Sequence, residues 1–256
     1  MTDQSRSIEL EIEVPGTPEE VWRAIASGPG ITSWYVPHTV VEETDGAATA
    51  RFGPGPEMEI AGRVAAWEPP NRVVFDGGEG VGGFAFEWLV EPRDSGTCTV
   101  RLVNSGFGTG DEWDDQYDAM TEGWKMFLSN LRLHLSHFSG QAASASLPGA
   151  VWSGAGDAAW AKLAAELGIP SHLNVGDRLD LQAADGPALG GTVADVTPTR
   201  VTLLVDNPVP GTALIAAEAI GEVVQVSVWS YLYGTDADAA IERDEPRWQS
   251  WLDAST

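Results

Sequence analysis

Aromatic side chains at two regular spacings are the strongest candidates for ligand binding in this sequence. Phe84, Phe86 and Trp88 occupy alternate positions, and alternate residues share one face of a β-strand. A second set recurs at steps of three and four, as residues on one face of an α-helix do. Its members are Trp113, Tyr117, Met120, Trp124 and Phe127. If the strand face opposes the helix face, the two sets enclose a shared apolar interior.

Two interpretations of this interior remain open. In one, the aromatic side chains line a cavity that binds an apolar ligand. In the other, the same side chains fill a packed core and leave no space. Trp34 and Tyr35, from a short helical turn, join the candidate lining.

Polar candidates near this interior are few. Arg101 and Arg63 each lie within a predicted strand, and an inward arginine could bind a ligand carboxylate. The alternative is an outer-face arginine paired with a local glutamate, because arginine is rarely buried without a partner. His38, close to Tyr35, could act as an acid or base at the mouth of a cavity. These side chains form no coherent acid–base pair, so no catalytic residue is predicted.

The sequence also predicts no metal site and no cofactor. Cys98 is the only cysteine, which excludes a disulfide within the chain and a cysteine zinc site. His134 and His137 could share a helix face, but a metal ion would need further ligands. The Gly-rich segments 53–56 and 77–83 match no phosphate-binding pattern and are interpreted as hairpin loops.

The net charge of the chain excludes some classes of binding partner. The 256 residues carry a formal net charge of −24, and Lys125 and Lys162 are the only lysines. A nucleic-acid-binding protein needs a basic surface, and an anionic membrane would repel this chain. The expected partner is a small apolar molecule, with a protein partner as a second possibility, and neither a nucleic acid nor a membrane.

Hydropathy and the first residues of the sequence indicate the expected cellular location. Hydrophobic residues make up 43% of the sequence, which is enough for a substantial core. No run approaches the ~18 apolar residues of a membrane span. The first six residues lack the apolar region of a secretion signal, so the expected location is cytoplasmic.

The elements that must position the aromatic sets can be predicted over residues 7–139. Apolar residues and glutamates alternate over 8–14 and predict an opening strand. Thr17, Pro18 and Glu20 are typical of a helix N-terminus, and this helix should end near Ser27. Six strands are then predicted, near 38–44, 47–52, 57–67, 72–76, 83–91 and 97–105. The apolar periodicity of residues 111–137 predicts one long closing helix.

Beyond residue 139 the sequence suggests a duplication. Residues 140–156 are small and weakly patterned and are interpreted as a linker. Further on, short matches to the first part follow in the same order, beginning with Trp160 for Trp22 and ending with Trp248 for Trp124. This collinearity favours a second copy over coincidence in a sequence rich in Ala, Gly and Val.

The second copy, residues 157–256, is expected to be reduced. It shows no clear opening strand, and its closing helix is firmly predicted only over Pro246–Ala254, because proline disrupts a helix interior. Its apolar residues should then need cover from the first domain: Val201, Leu203, Leu204, Val226, Val228, Trp229 and Leu232. Its alanine-rich strands offer little aromatic lining, so a ligand site is expected only in the first domain.

The order of the elements resembles that of the START-like or SRPBCC superfamily. Residues 17–25 and 31–35 resemble the first two helices of that superfamily. Residues 67–75 and 122–124, the latter before a leucine-rich helix, resemble the subgroup homologous to activators of the heat-shock chaperone ATPase. The resemblance covers about residues 7–139. It implies an α+β helix-grip fold, in which a twisted antiparallel sheet wraps around a long C-terminal helix.

Three functional hypotheses follow from this resemblance, because one fold supports many functions. The preferred one is non-catalytic binding of a small apolar ligand in an aromatic-lined cavity of the N-terminal domain. The second is a protein-interaction or chaperone-regulating module, which predicts an exposed apolar patch and no cavity. The third is a cyclase- or hydrolase-like enzyme that uses the same cavity and therefore needs converging polar groups.

Overall fold

The chain divides into two units, Met1–Ala142 and Ala143–Thr256. The structure is a computed structural model, and it describes residues 6–53, 55–78, 83–108, 110, 113–184, 186–220 and 223–255. The N-terminal residues 1–5 and parts of both Gly-rich segments therefore lie outside the described residues. No helix of the described part is both long enough and apolar enough to cross a membrane.

The N-terminal unit is one antiparallel sheet with three helices. Its elements are β1 (Arg6–Pro15), α1 (Pro18–Ala26), α2 (Gly28–Thr32), β2 (His38–Val40), β3 (Ala47–Arg51), β4 (Glu59–Glu68), β5 (Arg72–Asp76), β6 (Ala85–Pro92), β7 (Thr97–Phe107) and α3 (Asp114–His137). A short 3₁₀ turn over Pro56–Met58 precedes β4. The strand order is β1-β7-β6-β5-β4-β3-β2, so the first strand pairs with the last and the rest form a meander. All six predicted inner strands are present, with shifted ends.

Local sequence explains why these elements form. In β1, Ile8 and Val14 are buried while the glutamates between them are exposed, as period-2 alternation requires. Helix α1 begins with a capping box, in which Glu20 N donates to Thr17 Oγ1 at 3.3 Å and Thr17 N donates to Glu20 Oε2 at 2.8 Å. Helix α3 packs against β1. The unit therefore has the helix-grip arrangement that the sequence predicts.

The C-terminal unit repeats this topology with one strand fewer in the meander. Its elements are β8 (Ser144–Ser146), β9 (Gly149–Trp152), α4 (Gly156–Leu167), β10 (Arg178–Gln182), β11 (Ala188–Thr197), β12 (Arg200–Asn207), β13 (Gly211–Ile220), β14 (Val223–Leu232) and α5 (Ala237–Ala254). Strands β10 to β14 form an antiparallel meander, and β8 and β9 both pair with the last strand, β14. The fold is α+β, with a second and shorter copy of the helix-grip unit.

Two sequence-based predictions for this region are wrong. The segment 140–156, predicted as a linker without an opening strand, contains β8 and β9. Its residues are mostly small and show no alternation of large apolar side chains. The strands form because their backbone pairs with β14, and such pairing leaves no signature in the local hydropathy.

The closing helix is also longer than predicted. It begins at Ala237 and continues through Pro246. A proline in a helix interior costs about 3 kcal/mol. Ala237, Ala240, Trp248 and Leu252 are nevertheless buried along one face on both sides of the proline. Packing of this face outweighs the hydrogen bond that the proline removes.

The C-terminal unit buries much of its apolar surface in a core of its own. Five of the seven residues expected to need cover from the first domain belong to this core: Val201, Leu203, Val226, Val228 and Leu232. Leu163 and Leu167 of α4 and Trp248 of α5 pack into the same cluster. For these five residues, the expected need for outside cover is wrong.

Candidate functional site

A cavity of about 270 Å³ lies in the N-terminal unit between the inner face of the sheet and the helices. Six of the ten residues predicted for the ligand site line it: Trp34, Tyr35, Phe84, Phe86, Trp88 and Trp124. The strand set and the helix set thus meet around Trp124. The sequence left open whether these side chains line a cavity or fill a packed core. The structure has a cavity at this place.

The other four predicted residues do not line the cavity. Arg101 lies on the outer face of β7, where Nη2 is 2.5 Å from Glu9 Oε2 and Nε is 3.8 Å from Glu11 Oε1. It faces outward because Val100 and Leu102, its neighbours in the strand, are buried. Arg101 is therefore an outer-face arginine paired with local glutamates, which was the alternative to a ligand-binding role.

The remaining three residues lie too far toward the start of α3. Tyr117 packs against Phe107, with ring centroids 5.2 Å apart, and its hydroxyl donates to Ser7 O at 3.1 Å. Trp113 precedes the helix and lies over Gly108, and Met120 is half-buried outside the cavity. A helix rises about 1.5 Å per residue, so Trp113 lies roughly 16 Å along the axis from Trp124. Periodicity identified the correct helix face but not the part of that face that borders the cavity.

Small residues on two neighbouring strands create the empty space. Ala48 on β3 pairs with Gly62 on β4, and Ala50 pairs with Ile60. All four line the cavity. Alanine supplies little side-chain volume, so Ala48 and Ala50 leave space on the inner face of the sheet. A Cβ at Gly62 would lie 2.6 Å from Asp76 O, so this glycine allows the close approach of β5. Phe52 and Phe75 also line the cavity and were not singled out from the sequence. The inward alanines of β3 were the signal that could have located the cavity.

Hydrogen bonds fix two of the aromatic walls. Trp124 Nε1 donates to Asn104 Oδ1 at 3.1 Å, and Trp34 Nε1 donates to Ala24 O at 2.8 Å. Asn130 Nδ2 donates in turn to Trp34 O at 2.9 Å. Trp88 lies between the two indoles, with its ring centroid 5.5 Å from each. The walls are therefore held in place before any ligand enters.

Tyr35 lies at the centre of the aromatic lining. Its ring centroid is 4.5 Å from that of Phe127, 5.0 Å from that of Trp124 and 6.0 Å from that of Phe52. Burial raises the pKa of the Tyr35 hydroxyl above its ordinary value, so the phenol is neutral. Among the described residues, this hydroxyl has no hydrogen-bond partner.

His38 lines the cavity beside Tyr35, with ring centroids 5.6 Å apart. Its Nδ1 is 2.7 Å from Val36 O. A carbonyl oxygen only accepts hydrogen bonds, so Nδ1 carries the proton and Nε2 of the neutral ring is left as an acceptor. Burial lowers the pKa of His38, and this outweighs the opposite effect of the bond to Val36. The ring is therefore neutral at neutral pH.

The rim of the cavity carries an ion-pair network. Arg63 Nε is 3.0 Å from Asp76 Oδ1, and Arg63 Nη1 is 3.1 Å from Asp45 Oδ1. The hydrogen bond from Arg63 lowers the pKa of Asp76. Ile60, 60% exposed, marks the opening to solvent. Arg63 and Asp76, the two charged residues at the rim, are thus paired with each other, and Arg63 is also paired with Asp45.

Metal-binding groups are scattered in the part of the chain that the structure describes. No three His, Cys, Asp or Glu side chains there could together hold a metal ion. His134 is buried, whereas His137, three residues later, is exposed. The two histidines therefore do not share one environment.

Residues 15–136 match the family described as activator of Hsp90 ATPase homolog 1-like protein. The N-terminal unit is a START-like helix-grip domain of this activator-like subgroup. No curated protein matches the chain significantly.

Several solved structures are similar to the chain. A Bacillus halodurans protein is 21% identical over 51% of this chain and 96% of that chain, with a TM-score of 0.45. The Aha1 dimer from Colwellia psychrerythraea is 18% identical over 53% of this chain and 99% of that chain, with a TM-score of 0.44. The di-domain ARO/CYC BexL from the BE-7585A biosynthetic pathway is 16% identical over 98% of this chain and 93% of that chain, with a TM-score of 0.45.

Proposed function

We propose that the N-terminal unit binds a small apolar molecule, without chemical conversion, in the cavity between α3 and the inner face of β3 to β6. The observation that supports this most strongly is the cavity itself, with aromatic walls and a volume of about 270 Å³. Ligand sites are typically apolar concavities of about 300–1,000 Å³ with a few placed polar groups. The volume therefore suits a compact ligand of one to three rings.

Preorganisation of the walls also favours binding. The hydrogen bonds of Trp34 to Ala24 and of Trp124 to Asn104 join protein groups only, so they form without a ligand. A ligand then loses little free energy to ordering of the protein. Burial of apolar surface should give a negative heat-capacity change on binding.

The two rival hypotheses find less support in the described residues. A protein-binding module would use a large contiguous exposed apolar patch. The exposed large apolar residues of the described part occur as single residues or pairs: Met58 with Ile60, Val151 with Val223 on the paired strands β9 and β14, and Val41 and Val175. An enzyme would need converging acid and base groups. Asp76, the carboxylate at the rim, is already paired with Arg63. His38 lies beside Tyr35 in the cavity, but burial lowers the pKa of His38 and makes it a weaker base.

Filling the cavity tests the proposal. Ala50→Leu adds side-chain volume inside the cavity, whereas Ala47→Leu adds the same volume to an exposed position three residues earlier in β3. The neutral fluorophore N-phenyl-1-naphthylamine should bind the wild type and the Ala47→Leu protein equally. The Ala50→Leu protein should bind it at least about tenfold more weakly, a loss of about 1.4 kcal/mol.

Thermal unfolding shows whether both variants remain folded. Equal affinity of the probe for the wild type and a folded Ala50→Leu protein would refute the proposed site. Absence of binding of both this probe and naphthalene to the wild type would refute the function.

A further inference from the structure

We infer that the ligand of this cavity is a neutral apolar molecule that carries one hydroxyl group, recognised jointly by the Tyr35 hydroxyl and His38 Nε2. This inference rests on the proposed function and specifies its ligand class. Its starting point is the pair Tyr35 and His38, which lie side by side among the mostly apolar residues that line the cavity.

The Tyr35 hydroxyl supplies one half of the recognition. Five rings surround the Tyr35 ring: Trp34, His38, Phe52, Trp124 and Phe127. This packing leaves the side chain little freedom to turn its hydroxyl toward another partner. Tyr35 is half-buried, and its hydroxyl has no hydrogen-bond partner among the described residues. A ligand oxygen in this largely apolar cavity would give it one.

His38 supplies the other half. Its ring is oriented by the bond from Nδ1 to Val36 O, and its backbone nitrogen donates to Thr32 Oγ1 at 2.9 Å. The neutral ring then offers one acceptor, Nε2, and needs a donor from the ligand. Burial, which lowers the pKa of His38, keeps the ring in this acceptor form.

A hydroxyl group satisfies both residues at once. It donates one hydrogen bond and accepts up to two, so it can donate to His38 and accept from Tyr35. A ketone or ether accepts from Tyr35 but leaves Nε2 without a donor. A carboxylate would enter an apolar space where the nearby cation, Arg63, is already paired with Asp76 and Asp45. Aromatic walls further suit a hydroxyl carried on a flat ring, as in a phenol.

Three ligands of one shape separate these contributions. The affinities of the full-length chain for 2-naphthol, 2-methoxynaphthalene and naphthalene are measured by displacement of N-phenyl-1-naphthylamine. The 2-naphthol should bind at least about tenfold more tightly than naphthalene, since one hydrogen bond of about 1.4 kcal/mol gives that factor. The methoxy compound, which lacks the donor, should lose part of this advantage.

Variants of Tyr35 and His38 show how much each residue contributes to the preference for 2-naphthol over naphthalene. Tyr35→Phe keeps the ring and removes only the hydroxyl. His38→Asn keeps a donor near the position of Nδ1 and removes the Nε2 acceptor, whereas His38→Gln keeps an acceptor near Nε2. Tyr35→Phe and His38→Asn should each lower affinity for 2-naphthol but not for naphthalene, and His38→Gln should retain part of the preference.

The outcomes distinguish this inference from the proposed function. If 2-naphthol and naphthalene bind the wild type equally, or if the preference survives both Tyr35→Phe and His38→Asn in folded proteins, the inference is wrong and the proposed function stands. If the fluorophore does not bind and calorimetry detects no binding of 2-naphthol or naphthalene, both are wrong.

Discussion

Trp124 Nε1 donates a hydrogen bond to Asn104 Oδ1 across 3.1 Å, which joins α3 to β7. Both side chains are buried, and Asn104 Nδ2 donates in turn to Ala85 O at 3.2 Å. Asn104 is thus a polar residue on the apolar inner face of the sheet, with its amide oxygen directed at the indole. This bond holds one wall of the cavity at a fixed angle.

Asn104→Leu should destabilise the protein by about 1–3 kcal/mol, because the buried indole N–H loses its partner. The change is measured by urea unfolding. In a Trp124→Phe background the same substitution should cost less, since no indole N–H remains to be satisfied. Additive effects of the two substitutions would contradict a direct contribution of this bond.

Phe86→Ala and Phe107→Ala should differ in their effects on stability and on probe binding. Phe107 is fully buried and does not line the cavity, so its truncation should cost about 3–5 kcal/mol. Phe86 borders the empty space, so it has fewer packing contacts to lose and should cost less. Phe86→Ala should instead weaken probe binding. Equal destabilisation with unchanged probe affinity would place Phe86 in a filled core.

The protein should become less stable as the pH decreases, partly because of His134. Burial lowers the pKa of His134 to about 4 in the folded state, against 6.5 for the ordinary side chain. Below pH 6.5 the unfolded chain therefore binds a proton that the folded chain does not, so stability is complete above 6.5 and declines as pH falls toward 4. Between pH 8 and pH 5 this contribution amounts to about 2 kcal/mol.

Replacement of each helix histidine isolates this effect. His134→Gln should flatten the stability profile between pH 8 and pH 5, whereas His137→Gln, at an exposed position on the same helix, should leave it unchanged. The profiles come from urea unfolding at each pH. An identical slope in the wild type and the His134→Gln protein would contradict the predicted role.

Pro246→Ala should stabilise the C-terminal unit. Restoration of a helix hydrogen bond and removal of the ring clash gain about 3 kcal/mol, and the greater freedom of the unfolded chain offsets about 0.4–1 kcal/mol. Pro246 is exposed, so no buried contact is lost. A net gain of about 2 kcal/mol should raise the melting temperature. No gain would show that α5 is adapted to its proline.

The sequence predicted those elements whose causes are local. The alternation in β1, the capping box of α1 and the apolar stripe of α3 are all properties of neighbouring residues, and each led to the correct element. Strands β8 and β9 depend on pairing with β14, which lies 72 to 88 residues further along the chain, and hydropathy could not reveal them. Helix α5 continues through Pro246 because of packing on both sides of it.

The cavity shows the same division between local and distant causes. Phe86, Trp88 and Trp124 were identified from spacing, because periodicity defines the face that a side chain occupies. The empty space opposite them depends on the register that pairs Ala48 with Gly62, a relationship between strands. Arg101 lies on the outer face, as the alternation with its apolar neighbours Val100 and Leu102 indicates.

Protein-observed NMR of the indole N–H groups tests the central claim most directly. The full-length chain is titrated with N-phenyl-1-naphthylamine, and each tryptophan resonance is assigned by substitution. The account predicts that the indole signals of Trp34, Trp88 and Trp124 shift and saturate at one equivalent, while those of Trp160 and Trp248 in the C-terminal unit stay in place. Saturable shifts confined to the C-terminal indoles, or no indole shift at saturating probe, would contradict it.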